Sequence, residues 1–218
     1  MQTLALDRHG WLRPGLSRPG LSRHSHTRPG HSWPGHSWPD PSVQCLPSPN
    51  ADARPAGVAV SLLVIHNISL PPNRFDGPCV ADLFLNRLDY GAHPWLERLR
   101  GLRVSAHFFV RRDGGVLQFV STEDRAWHAG ASHFRGRERC NDFSIGIEVE
   151  GADTVPYDDR QYETLSRLVP LLRSRYPLTH VRGHEHIAPG RKTDPGPAFD
   201  WLRLGHESGY ARRSMPPF

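Results

Sequence analysis

From residue 58 onward the chain alternates apolar runs with polar, Gly- or Pro-marked breaks, which is the rhythm of an α/β unit. Val60, Leu62, Leu63, Val64 and Ile65 form a continuous apolar run that suits a strand covered on both faces. The chain turns polar at His66, Asn67 and Ser69, and Pro71-Pro72 stop it. Val80, Leu83, Phe84 and Leu88 recur at helical spacing and predict a short helix. Residues 104–109 and 116–120 are two β-rich runs around Asp113-Gly114-Gly115, the turn chemistry of a hairpin. Residues 143–151 place Phe143, Ile145, Ile147 and Val149 on one face of a strand against Ser144, Gly146, Glu148 and Glu150 on the other. The long helix runs from Asp158 to Tyr176. Asp158 and Gln161 frame its start, and Tyr162, Leu165, Leu168, Val169 and Leu172 make its apolar stripe. Pro170 is expected to kink this helix or split off its last turn. Residues 178–183 then read as a short strand that delivers His184, followed by a loop stiffened by Pro189, Pro195 and Pro197.

The two ends differ from this middle. Residues 13–42 repeat a five-residue unit in which RPG or WPG returns with Ser or His between, and no apolar period of 2 or 3.6 exists there. Residues 1–44 are therefore read as an N-terminal segment whose tract 13–42 is expected to be disordered and to build no core, although His24, His26, His31 and His36 give it the loose metal affinity of any His-rich stretch. Gly10-Trp11-Leu12 and residues 45–57 read as extended chain lying on the domain surface. The domain itself is set at 45–204, with 205–218 as a frayed tail.

A chain of 218 residues is long enough for one good core. Its formal charge of +5 points to an anionic partner. The arginines are dispersed, with no basic helix or aromatic-interleaved patch, which favours a small acidic substrate over nucleic acid. Cys45, Cys79 and Cys140 share no metal-site spacing and leave one over, so a reduced, cytoplasmic setting fits better than a disulfide-stapled one. No apolar run has the length of a membrane span, and none near the start has the form of an export signal. A monomer without membrane or nucleic-acid partners is the expectation.

Chemistry gathers at four places. His66, His184 and Asp194 are ligand types that Zn²⁺ accepts, and three protein ligands with an open position is the catalytic pattern. His186 and His93 are rivals on composition. Glu148 is an ionisable carboxyl inside an otherwise apolar strand, a costly placement unless it is paired or used. Lys192 is the one lysine among 27 basic residues and lies two positions before Asp194. A compact ammonium there suits an oxyanion better than a planar fork. Trp127, His128, Arg137 and Arg139, in the aperiodic loop 121–142, have the aromatic and guanidinium groups that meet sugar faces and carboxylates. His107, flanked by Ala106, Phe108 and Phe109, reads as a core or rim residue.

The strings LLVIHNISLPP, RVSAHFFVRRDG, RAWHAG, GRERCNDFSIGIEVEG and GHEHIAPGRKTDPGPAFDW together resemble the type 2 N-acetylmuramoyl-L-alanine amidases. Within them they resemble the cytoplasmic 1,6-anhydro-N-acetylmuramyl-L-alanine amidases of Gram-negative bacteria. The resemblance covers residues 45 to about 202, together with Gly10-Trp11-Leu12. It implies a single mixed central β-sheet flanked by helices, as in peptidoglycan recognition proteins, and one zinc on His66, His184 and Asp194. It implies Glu148 and Lys192 as the catalytic pair, Asn67 beside the site, and Arg139 with the Trp127-His128 loop against a small anionic muropeptide. The repeat tract departs from the family, which has only a few residues there. Two alternatives stay open on sequence: a general wall-cleaving amidase, which needs an export signal, and a non-catalytic peptidoglycan-binding module, which usually lacks a metal ligand.

Overall fold

Strand Ser144–Glu150 is buried along its whole length, and the rest of the molecule is layered on its two faces. The computed structural model describes residues 4–13 and 43–217; apart from Arg13, the repeat tract 13–42 lies outside the described residues. In chain order the main sheet contains β1 (Val43–Cys45), β2 (Leu62–Ile68), β3 (Phe108–Val110), β4 (Val116–Gln118), β5 (Ser144–Glu150) and β6 (His180–Gly183). Their order in space is β6-β2-β5-β3-β4-β1. β6, β2, β5 and β3 run parallel, while the β3–β4 hairpin reverses direction and β1 follows β4, so the sheet is mixed.

The helices are α1 (Cys79–Phe84), α2 (Asp159–Arg175), α3 (His184–Ile187) and α4 (Trp201–Ser208). One face of the sheet, with Leu63, Ile65, Ile145, Ile147 and Val149, packs on the α2 stripe and on Trp201 and Leu204 of α4. The opposite face carries two smaller clusters. One gathers α1 and Leu96 against Phe109 and Leu117; the other gathers Leu62 and Val64 with Ala129, Cys140, Phe143 and Ile187. Polar residues of β2 and β5 on this second face, His66 and Glu148 among them, therefore point away from the main core and toward the space that these loops enclose.

α2 starts as its capping residues predict: Arg160 N–H donates to Asp158 Oδ1 at 3.0 Å and Asp158 N–H to Gln161 Oε1 at 2.9 Å. Pro170 does not split it. The residue is exposed, so its ring lies on the solvent side of the helix and not in the core stripe.

The N-terminal residues pack as extended chain. Ala5–Leu6 and Leu12–Arg13 pair antiparallel, and Gln118 holds the turn by accepting from Leu12 N–H at 2.6 Å and donating to Gly10 O at 2.7 Å. Gly10 sits at φ +76°, and a Cβ there would lie 2.4 Å from Thr122 Oγ1, so only glycine fits.

The C-terminal end corrects the sequence reading. The sequence predicts a frayed tail over 205–218, yet α4 continues to Ser208, and Tyr210 and Met215 are buried in the main core beside α2. Gly205 makes this possible, since a Cβ there would come within 3.0 Å of the Met215 methyl.

Candidate active site

β2 ends its apolar run at Ile65 and places His66 on the face opposite α2, with a ring only 1% exposed. β6, parallel to β2, carries the chain to the same end of the sheet, where His184 opens α3. The sequence predicts only a loop where α3 stands. The helix is a single turn, with Gly183 N–H donating to His186 Nδ1 at 3.0 Å and Glu185 N–H to Asp194 O at 2.9 Å. The second of these bonds ties the 194 loop to the start of α3.

His66 Nδ1 lies 3.0 Å from His184 Nδ1, and each lies 3.1 Å from Asp194 Oδ2. Among the described residues these three are the ones grouped as a metal-ligand set. The rivals are elsewhere: His186 turns to Gly183 and packs its ring edge on Trp201, and His93 accepts from Trp95 N–H at the start of a 3₁₀ turn. Burial, and then the neighbouring His184, push the His66 imidazole down to about 4, so it is a neutral donor at pH 7. Burial opposes ionisation of Asp194, but the bonds to His184 and His66 outweigh it and hold the carboxyl far below its usual range. Two imidazoles and one carboxylate, converging from rigid elements, fit Zn²⁺.

Glu148 is the Cα partner of His66 across β5 and β2. Its carboxyl is buried, and Oε2 has no hydrogen-bond partner. Burial and then the charge of Asp194 raise it well above the usual carboxylate range, with Lys192 pulling weakly the other way. Lys192 is exposed. It shares with Glu148, Asp194, His184 and Asn67 a cleft of about 640 Å³, walled on its apolar side by Leu83, Phe84, Trp95 and Leu102.

The other expected contact residues are placed differently. Asn67 borders the cleft, but its amide donates to Asp153 Oδ1 at 2.8 Å and Pro195 O at 3.0 Å, and so anchors the ligand loop. His128 borders the same cleft but is buried under His66, with Nδ1 2.9 Å from His66 Nε2 and Nε2 3.1 Å from Ser144 Oγ. Neither ring nitrogen is left for a ligand. Trp127 is half-buried, with its backbone N–H on Ser105 Oγ and its Nε1 enclosed without a partner. Arg139 is exposed, pairs with Asp142 at 3.3 Å and lines a neighbouring cleft with His133 and Arg191 instead of the one holding Glu148. Arg137 stacks on Phe143, 3.6 Å from the ring centre.

Two residues near the ligands escaped the sequence reading. Arg191 Nη2 donates to Ala129 O at 2.8 Å and Ala131 O at 2.6 Å, joining the 129–131 loop to the ligand loop. Tyr157 Oη donates to Pro195 O at 2.9 Å. Both act through backbone carbonyls far away in sequence, which no local pattern announces.

Both the sequence and the fold that carry this site are similar to those of known proteins. The N-acetylmuramoyl-L-alanine amidase family model matches residues 56–197. The 1,6-anhydro-N-acetylmuramyl-L-alanine amidase AmpD of Citrobacter freundii is 54% identical over 161 residues, 73% of this chain and 86% of that protein. The crystal structure of a selenomethionine AmpD derivative superposes with a TM-score of 0.74 at 52% identity, covering 76% of this chain and 93% of that one. The amidase AmiD of Escherichia coli, solved with anhydro-N-acetylmuramic acid-L-Ala-D-γ-Glu-L-Lys, gives a TM-score of 0.51 at 32% identity, covering 71% of this chain and 60% of that one. The chain belongs to the N-acetylmuramoyl-L-alanine amidase family, and within it to the AmpD type.

Proposed function

We propose that this amidase hydrolyses the amide between the lactyl group of 1,6-anhydro-N-acetylmuramic acid and L-alanine of the stem peptide, on recycled fragments in the cytoplasm. The observation that carries the reading is the unpartnered, buried Glu148 carboxyl beside the His66, His184 and Asp194 cluster, in one cleft with Lys192. His66, His184 and Asp194 would hold a zinc ion, which when bound would supply Lewis acidity toward a carbonyl and a water. Glu148 takes a proton from the attacking water and delivers it to the departing alanine nitrogen, a transfer suited to a carboxyl whose ionisation burial makes difficult. Lys192 places an ammonium where the attacked carbonyl oxygen becomes negative. Asn67 and Tyr157 hold the 195 backbone and keep Asp194 aimed. The apolar wall of Leu83, Trp95 and Leu102 offers a dry surface to the sugar.

The substrate assignment draws on likeness to AmpD and on the anhydro sugar in the AmiD complex. We place the working domain at 43–204 together with the packed N-terminal residues 4–13 and the packed end through Met215. Rates on anhydro and reducing-end muropeptides, followed side by side by chromatography of the released peptide, test the reading. Anhydro substrates are expected to be much the better; equal kcat/KM on both would move the protein to a general amidase. Residual activity after Arg139→Ala, expected to fall mainly for charged peptides, tests whether the neighbouring cleft receives the stem.

A further inference from the structure

Beneath the ligand cluster lies a run of hydrogen bonds that has a direction. At its far end Ser144 Oγ is 2.6 Å from the Cys140 carbonyl oxygen. A carbonyl carries no proton, so the Ser144 hydroxyl donates there. The same Oγ is 3.1 Å from His128 Nε2. With its single proton committed, the hydroxyl can only accept, and His128 must carry its proton on Nε2. His128 Nδ1 is then bare, and His66 Nε2–H donates to it across 2.9 Å. His66 is left with a lone pair on Nδ1, the atom that faces His184 Nδ1 and Asp194 Oδ2. His184 reaches the same state in one step, by donating Nε2–H to Ala129 O at 3.0 Å.

The ring that transmits this order is built into the fold. His128 N–H and Ala129 N–H both donate to the buried Asn141 Oδ1, at 3.1 and 2.7 Å. The imidazole lies on the bare backbone of Gly146, where a Cβ would come within 2.5 Å of its Cγ and 2.6 Å of its Nδ1. Ser144 is fully buried, so bulk water offers no competing partner. Ser144 and Gly146 are alternate residues of β5, on the face that also carries Glu148. One strand thus provides the carboxyl of the site and the support for a ligand.

We propose that Ser144 is a positioning residue for the metal centre: acting through His128, it fixes the tautomer of His66 so that the Nδ1 lone pair faces the ion. The inference rests on the zinc reading above and adds a chain of command to it. A ligand imidazole whose outer N–H is held is both oriented and made a better donor, whereas a free one spends time with its proton inside the cluster.

The test uses the full chain loaded with zinc and labelled with ¹⁵N-histidine. Long-range ¹H–¹⁵N spectra of the wild type are expected to show His128 protonated on Nε2 and bare on Nδ1, with coupling across the bond from His66 Nε2. Ser144→Ala is expected to disturb that pattern and to weaken zinc binding about 10- to 100-fold, read by competition with a chelator. Ser144→Thr, which keeps the hydroxyl, is expected to restore both. His128 protonated on Nδ1 in the wild type would overturn the proposal without any variant. So would a Ser144→Ala protein with unchanged spectrum and zinc affinity, or a zinc defect that Ser144→Thr fails to repair, since that marks packing alone. Failure of the zinc reading looks different, because the wild type would then bind no zinc at all, and both would go.

Discussion

Glu148 and His66 are Cα partners on adjacent parallel strands, so the carboxyl and the first ligand share one face of the sheet by register alone. The register is locked from behind. Ile147 and Ile65, the next pair along, sit fully buried against α2, and a slip of one residue would expose them while turning Glu148 into the main core. Packing on one face thereby places the chemistry on the other.

If the three ligands hold zinc, activity is expected to vanish with a chelator and return with Zn²⁺. His184→Ala is expected to lower metal content and rate together, which elemental analysis beside an activity assay checks. One equivalent of tightly held zinc in that variant would remove His184 from the ligand set.

Glu148→Ala and Lys192→Ala are expected to keep zinc and lose roughly 10²-fold or more in kcat, because each acts on the transition state. Lys192→Arg is expected to be nearly as slow, since a planar fork cannot stand in for a compact ammonium. Normal turnover with arginine at 192 would refute the oxyanion role.

Glu150 gives a pH prediction. Burial pushes its carboxyl from an ordinary 4.5 up to about 7, although Asp76 N–H and Arg112 N–H donate to its two oxygens at 2.7 and 2.9 Å. Between those two values the folded protein keeps a proton that the unfolded chain has released, so stability falls as pH rises through the window and levels off above it. The full effect is on the order of 3 kcal/mol. Thermal unfolding from pH 4.5 to 7.5 is expected to show this slope in the wild type and a flatter one in Glu150→Gln; parallel curves would contradict it.

Met215 tests the packed C-terminal end. The side chain is buried against Gly205, so Met215→Ala is expected to cost about 2 to 5 kcal/mol, measured by denaturant unfolding. A loss below 0.5 kcal/mol would return residues 210–217 to the surface.

The sequence by itself determined the elements and the candidates for chemistry. Alternation in 143–151, the apolar run before His66, the Asp113-Gly114-Gly115 turn and the capped stripe of α2 are local signals, and each appears as β5, β2, the β3–β4 hairpin or α2. Glu148 was legible because an acid inside an apolar strand contradicts its surroundings, and Lys192 because it is the only lysine. Pattern could not say what each polar residue touches. His128 and Arg139 lie in one loop without a period, yet the fold buries the first under His66 and leaves the second exposed beside Asp142. The tail looks polar in sequence, yet Tyr210 and Met215 join the main core beside α2. Tertiary structure alone decided these points, because burial and hydrogen-bond partnership are set by residues tens of positions away. Ser144 shows the limit best: a serine on a strand carries no signal until its hydroxyl is seen donating to Cys140 O with His128 Nε2 against the same oxygen.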